Sequence, residues 1–148
     1  MSNAPFSAVM NLLRIHSRLE ERFAGALGAV HGLALNEVLL LMHLERAPAE
    51  RLSRVDLAKR LSVSPSTVTR MTAPLEKLHL VGREADKRDA RLAYVTLSAA
   101  GKRVVGEARA TLEQLAADVF KTGWNEAEIA TLNKLLGRVT GERPGDLS

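Results

Sequence analysis

The segment from Ser64 to Lys77 combines hydroxyl, methyl and cationic side chains at helical spacing. At about 100° per residue, one side of a helix built from it is polar and the opposite side is apolar. The polar side lacks the carboxylate or histidine that a catalytic face would need. It suits the reading of a nucleic-acid groove, where an arginine can donate two hydrogen bonds to guanine. Its members are Ser66, Thr69, Arg70, Ala73 and Lys77.

The apolar side of this helix falls on one line formed by Val68, Met71, Leu75 and Leu78. Ser64-Pro65 predicts its start, because serine caps helices and proline is tolerated at the first helical position. The pattern predicts a helix to about residue 78. Pro74 predicts a bend or a loosened last turn, since its ring leaves a carbonyl without a donor.

A second, shorter helix precedes this one. Ser53, followed three residues later by Asp56, is a capping-box variant that predicts a helix through Leu61. Only a few residues around Ser62 and Val63 separate the two helices, which is helix-turn-helix spacing. Residues 81–85 and 91–97 are extended in pattern and flank a charged turn at 86–90, so they predict a β-hairpin wing.

The positive charge of the chain is concentrated in this region. Residues 51–91 contain ten Lys or Arg and five Asp or Glu, whereas the rest of the chain has 11 basic and 12 acidic residues. The excess is either a solvated surface or an electrostatic footprint for phosphate.

Helices flank the central region on both sides. An apolar stripe from Val9 to Leu27 predicts a long first helix, and the run 38–44 predicts a second, whose cap is Ala34 or Asn36. Ser98 predicts the start of another long helix, and Asn125 with Glu128 predicts a last one.

Several classes of function are disfavoured. The chain has no cysteine, which fits a reducing cytoplasm and excludes thiol redox sensing and cysteine-bound zinc. The four histidines are scattered, so we expect neither a metal nor a cofactor. No dinucleotide or phosphate-loop motif is present, and we expect no enzyme. We also expect no membrane span and no signal peptide.

Three segments together resemble the MarR family of winged-helix transcriptional regulators, and the resemblance extends over nearly the whole chain. It is carried by the runs 57–70 (LAKRLSVSPSTVTR), 86–91 (DKRDAR) and 95–101 (VTLSAAG). Two positions depart from the family pattern. His79 stands where relatives usually have glycine, which indicates a left-handed backbone there, and Ala34 stands where Ser or Thr often caps the second helix.

The resemblance implies a mainly α fold with a small β-wing, formed by residues 1–148 as one domain. Residues 33–97 would be the winged helix-turn-helix lobe, 5–30 and 98–141 dimerisation helices, and 142–148 a tail. It further implies a cytoplasmic bacterial regulator, commonly a repressor, that binds a pseudo-palindromic double-stranded DNA operator as a homodimer. The apolar stripes of the first and last helices support the dimer, although a monomeric bundle and a winged-helix module for protein or RNA contacts remain alternatives.

The same resemblance selects the site residues. Arg70 would read guanine or contact only phosphate, while Arg88 and Arg91 would reach the minor groove or its flanking backbone. Asp89, two residues from Arg91, would position its guanidinium. The full predicted DNA-binding set is Arg54, Ser64, Pro65, Ser66, Thr67, Thr69, Arg70, Lys87, Arg88, Asp89 and Arg91.

Relatives commonly respond to small aromatic or anionic molecules bound where the dimerisation helices meet the DNA-binding lobe. His16 and His43 lie on the apolar stripes of the first two helices and would face such a cleft, with Arg14 and Arg18 offering charge. The alternative for each histidine is a hydrogen-bonded position in the core.

Overall fold

The computed structural model describes residues 3–141 and 147. The predicted tail at 142–148 therefore lies outside the described residues except for Leu147. The described chain folds into six α-helices, one 3-10 turn (Pro48–Glu50) and three short strands. The α-helices are α1 (Ala4–His31), α2 (Leu35–Arg46), α3 (Arg54–Leu61), α4 (Pro65–Lys77), α5 (Ala99–Val119) and α6 (Glu126–Thr140), and the strands are β1 (Arg51–Ser53), β2 (Val81–Ala85) and β3 (Ala93–Leu97).

The predicted helix ends follow from local capping. Helix α1 ends at Gly32, which has the left-handed backbone (φ 66°) that glycine adopts without steric cost. The Ser98 side chain accepts a hydrogen bond from the Gly101 amide at the start of α5. Asn125 and Glu128 form a complete capping box at the start of α6. Helix α2 begins after Ala34 without any side-chain cap.

The strands form one antiparallel sheet in the order β1-β3-β2. The predicted hairpin is β2 and β3, paired from Val81 opposite Leu97 to Ala85 opposite Ala93. The predicted second strand was too long, because Arg91 lies in the turn and the strand begins at Ala93. Strand β1 was not predicted, since three residues are too few for a periodic signal.

The buried core lies around α2. Leu40, Leu41 and Leu44 of this helix are fully buried, and residues from the other central elements pack against them. In contrast, α1 buries only Leu27, and α6 buries no residue in the single chain. Large apolar side chains on these two helices are therefore exposed, including Phe6, Val9, Leu13, Ile15, Leu135 and Val139.

No single helix among the described residues is long and apolar enough to cross a membrane. Helices α1 and α2 pass such a test only as a pair, and they are bent by 78° relative to one another.

Candidate nucleic-acid interface

Two residues between α3 and α4 set how these helices follow one another. Ser62 adopts a left-handed backbone (φ 56°) that ends α3. The Val63 amide donates to the Ala58 carbonyl oxygen at 3.0 Å, which folds the chain back onto α3. Ser64 then caps α4. The predicted helix-turn-helix is therefore present in the fold.

The start of α4 is organised around the Ser64 hydroxyl. This oxygen accepts a hydrogen bond from the Thr67 amide at 3.2 Å and lies 2.9 Å from the hydroxyls of both Ser66 and Thr67. Pro65 occupies the first helical position, as predicted. Four of the predicted DNA-binding residues thus form one connected, mostly exposed group at a helix N-terminus, where free amides favour phosphate.

Helix α4 has one buried and one exposed face. Val68 and Leu75 are fully buried, as the periodicity predicts, but Leu78 is 56% exposed because it follows the last helical residue. Its predicted place on the buried line was wrong. Thr72 is fully buried instead, and its hydroxyl donates to the Thr69 carbonyl oxygen at 3.0 Å. Pro74 lies within the helix, which ends at Lys77.

Arg70 lies on the exposed face of α4. Its guanidinium donates to the Thr67 hydroxyl at 3.2 Å, which joins it to the group around Ser64. Thr69 is exposed beside it, and its hydroxyl donates to the Pro65 carbonyl oxygen at 3.2 Å. The remaining guanidinium donors of Arg70 face solvent and are available to a base edge or a phosphate.

Two aspartates shape the turn of the wing. The Asp86 carboxylate accepts hydrogen bonds from the amides of Arg88 at 2.7 Å and Asp89 at 3.3 Å. Asp89 in turn accepts from the backbone amide of Arg91 at 3.0 Å. We expected Asp89 to hold the Arg91 guanidinium on one side of a strand. That geometry is absent, because residue 91 lies in the turn and Asp89 is hydrogen-bonded to its main chain.

The cations of this region divide into paired and unpaired sets. Arg83 contacts Glu76 of α4 at 2.7 Å, and Arg51 contacts Glu84 at 2.9 Å. Within the described residues, no ion pair is formed by the exposed cations Arg70, Lys77, Lys87, Arg88 and Arg91. Their charge is uncompensated at contact distance, so this surface attracts anions.

Sequence reasoning missed a group of side chains across the sheet. Tyr94 of β3 donates from its hydroxyl to Asp86 at 2.8 Å. The Arg51 guanidinium of β1 lies 4.6 Å from the centre of the Tyr94 ring. Hydrogen bonds from the Arg88 amide and the Tyr94 hydroxyl hold the pKa of Asp86 below its ordinary value. The sequence did not reveal this group because Arg51 belongs to strand β1, which was not predicted. The one available signal was Tyr94, the only tyrosine in the sequence.

Arg54, also in the predicted DNA-binding set, is the first residue of α3 and is half-buried. Its Nε atom is buried and has no hydrogen-bond partner in the part of the chain that the structure describes. The guanidinium is thus partly withdrawn from the surface that presents Arg70.

The four predicted effector residues lie in different environments. Arg14, His16 and Arg18 are exposed on α1, and His16 contacts Glu20 at 3.6 Å. His43 is buried (3% exposed), and no residue that the structure describes forms a hydrogen bond with its Nδ1 atom. Burial lowers the pKa of His43, and the guanidinium charges of Arg60 and Arg46 lower it further. Among the described residues, no hydrogen bond or ion pair joins His43 to the other three.

Metal binding has no support in the described part of the chain, where no three His, Asp or Glu side chains come together as a ligand set.

Comparisons with known proteins agree with this geometry. The family model described as "MarR family" matches residues 33–92, which span α2 to the wing turn. The comparison with curated proteins finds no match.

Solved structures match over almost the full chain. The transcriptional regulator BldR from Sulfolobus solfataricus is 27% identical, with a TM-score of 0.81 over 93% of this chain and 99% of that one. BpsR from Bordetella bronchiseptica, whose DNA binding is regulated by 6-hydroxynicotinic acid, is 25% identical, with a TM-score of 0.78 over 90% and 93%. The MarR family regulator Sco3205 from Streptomyces coelicolor, solved in complex with DNA, shares the fold at 20% identity, with a TM-score of 0.84 over 95% and 91%.

Proposed function

We propose that the chain, whose residues 33–92 match the MarR family model, is a sequence-specific double-stranded DNA-binding regulator of transcription. In this proposal the protein works in the bacterial cytoplasm by binding, without catalysis. The observation that carries it is the exposed polar face of α4, with Arg70 free of any carboxylate among the described residues. Beside it, the cations of the wing turn (Lys87, Arg88 and Arg91) also form no ion pair with any described residue.

Base reading is assigned to α4. Ser66, Thr69 and Arg70 would face base edges in the major groove, with Arg70 donating to the O6 and N7 atoms of guanine. Ser64, Pro65 and Thr67 would lie against phosphate at the helix start. Arg88 and Arg91 would contact the minor groove or its flanking backbone, and Arg54 and Lys87 would contact phosphate. Asp89 would act on the wing through its hydrogen bond to the Arg91 amide.

The protein would bind as a homodimer, with residues 33–97 as the DNA-binding lobe and residues 5–30 and 98–141 as the dimerisation helices. The exposed apolar side chains of α1 and α6 support this arrangement. A second copy would cover them and would set the two α4 helices at half-sites about one helical turn apart. Sedimentation would report the dimer, and Leu13→Glu, which places a charge on the exposed α1 stripe, would shift it towards monomer.

The test of function is a binding selection from a pool of DNA duplexes whose randomised sequences are arranged as pseudo-palindromes. We expect the full chain to enrich a defined operator, and the affinity to fall steeply as salt is raised because phosphate contacts release counterions. Arg70→Ala should weaken binding and relax the preference at one base pair per half-site. Lys121→Ala is a matched control, because this exposed cation lies beyond the far end of α5, about 30 Å along the helix from the wing.

Two results would contradict the proposal. One is enrichment of no duplex sequence at any salt concentration. The other is binding that Arg70→Ala and Lys121→Ala weaken equally, since α4 would then read nothing. Tighter binding to an RNA or a protein than to duplex DNA would favour the winged-helix module with other partners.

We further propose that the regulator represses and is released by a small aromatic or anionic ligand. The comparison with BpsR supports this class of ligand. Arg14, His16, Arg18 and His43 are the residues proposed for its contacts. A thermal-shift screen against aromatic carboxylic acids tests it, and a hit must also weaken operator binding.

A further inference from the structure

A connected row of side chains runs across the sheet from β1 to the turn of the wing and consists of Arg51, Tyr94 and Asp86. Glu84 and Tyr94 are cross-strand partners of β2 and β3. Arg51 is opposite Thr96 in the register, so it lies diagonally next to Tyr94 on the same face of the sheet. Its guanidinium covers the Tyr94 ring at 4.6 Å and also donates to Glu84 at 2.9 Å. This places a charged side chain of β1 directly against the hairpin.

The outer end of the array is the wing turn itself. Tyr94 donates to one oxygen of Asp86, and the other oxygen of Asp86 accepts from the amides of Arg88 and Asp89. The turn, which carries exposed lysine and arginine side chains, is also closed by two main-chain hydrogen bonds, from the Asp86 amide to Leu92 and from the Leu92 amide to Asp89. A third bond runs from the Arg91 amide to the Asp89 carboxylate. Asp86 therefore links the turn to the sheet, because it accepts hydrogen bonds from both Tyr94 of β3 and the amides of the turn.

We propose that Tyr94, with Arg51 and Asp86, is a positioning device that orders the wing turn before DNA binds. The proposal rests on the proposed DNA-binding function and adds residues that touch no nucleic acid. An ordered turn presents Lys87, Arg88 and Arg91 in one geometry, so less conformational entropy is lost on binding. Without the tether, the same cations would be present but would have to be ordered by the DNA.

The electrostatics of the array agree with this role. Asp86 raises the pKa of Tyr94, both through the hydrogen bond and through its negative charge, so the phenol stays protonated and able to donate. The other charges near the phenol are Arg51, which acts in the opposite direction, and Asp56 of α3, which acts in the same direction as Asp86. An open cavity of about 410 Å³ adjoins the group and is lined by Arg51, Glu84, Asp86, Lys87 and Arg88.

The test compares Tyr94→Phe with the wild type on the tightest duplex recovered from the random pool. The variant keeps the ring beneath Arg51 and loses only the hydroxyl. We expect its affinity to fall about two- to fivefold, as the loss of one modest hydrogen bond would predict. The salt dependence should be unchanged, because no phosphate contact is removed. Backbone amide order parameters of Arg88 and Asp89, measured without DNA, should decrease.

A spectroscopic measurement reports the Tyr94–Asp86 hydrogen bond in solution. The chain has a single tyrosine, so ultraviolet titration of tyrosinate reports Tyr94 alone. Asp86→Asn should lower the pKa of that phenol, because it removes the carboxylate that raises it. Unchanged affinity in Tyr94→Phe, or reduced affinity with unchanged order parameters, would overturn the positioning role.

The outcomes for the two proposals are distinguishable. If Arg70→Ala loses binding while Tyr94→Phe binds as tightly as the wild type, the proposed function stands and the positioning role is wrong. If the wild type binds no duplex, both are wrong.

Discussion

The hydroxyl of Ser98 donates to the carbonyl oxygen of His79, with 2.6 Å between the two oxygens. Ser98 caps α5, and His79 follows the end of α4, so one side chain joins the helix proposed to read DNA to the long helix proposed to dimerise. The Ser98 oxygen also accepts from the Gly101 amide at 3.0 Å. A displacement of α5 would thus be transmitted through this hydrogen bond to the end of α4.

The first prediction concerns the glycine at this junction. A Cβ on Gly101 would overlap the Leu80 carbonyl oxygen and lie 2.7 Å from a Leu97 methyl group. A backbone oxygen cannot move aside easily, so Gly101→Ala should lower the free energy of unfolding by about 1–3 kcal/mol. Gly106→Ala on the same helix is the matched control, because open space surrounds its Cβ position. That variant should be neutral or gain up to about 1 kcal/mol in chemical denaturation.

The second prediction concerns His79, where a non-glycine residue adopts φ 57°. The position was predicted to be left-handed from the glycine usual in relatives, and the backbone confirms it. His79→Gly should raise the melting temperature by a few degrees, because it removes strain of about 1 kcal/mol. His79→Ala keeps the strain and removes only the imidazole, so it should not stabilise. Equal melting temperatures for the two variants would contradict this explanation.

The third prediction concerns the buried imidazole of His43, whose pKa is lowered. The unfolded chain takes up this proton at higher pH than the folded chain does. Stability is therefore fully present above the unfolded pKa of about 6.5 and decreases as the pH falls below it. Melting temperatures from about pH 8 to about pH 5 should fall less for His43→Gln than for the wild type. Parallel curves for His43→Gln and the wild type would contradict the assignment.

The fourth prediction concerns the wing. Arg91 is exposed and forms no ion pair among the described residues, so Arg91→Ala should leave the fold intact. It should weaken operator binding by a factor of about ten or more, because minor-groove arginines combine charge with close contact. Gel-shift titration measures it, with unchanged circular dichroism as the test of folding. Affinity equal to that of Lys121→Ala would remove the wing from the interface.

Local signals in the sequence were enough to locate most of the elements. The caps at Ser53, Ser64, Ser98 and Asn125 depend on hydrogen bonds within four residues, so they can be read without knowledge of the rest of the fold. The polar face of α4 and the wing turn were predictable because they too depend on residues that are close together in the sequence. The misplaced residues Leu78 and Arg91 both lie one or two positions outside an element, where periodicity no longer applies.

The sequence by itself determined the order of the helices, the exposed face of α4 and the place of the positive charge, since each depends on spacing along the chain. Only the tertiary structure decided which cations are paired, that Thr72 is buried, and that Arg51 meets Tyr94 across a three-stranded sheet. The physical reason is distance in the sequence. Arg51 and Tyr94 are more than forty residues apart, and their contact exists only because an unpredicted three-residue strand pairs with β3.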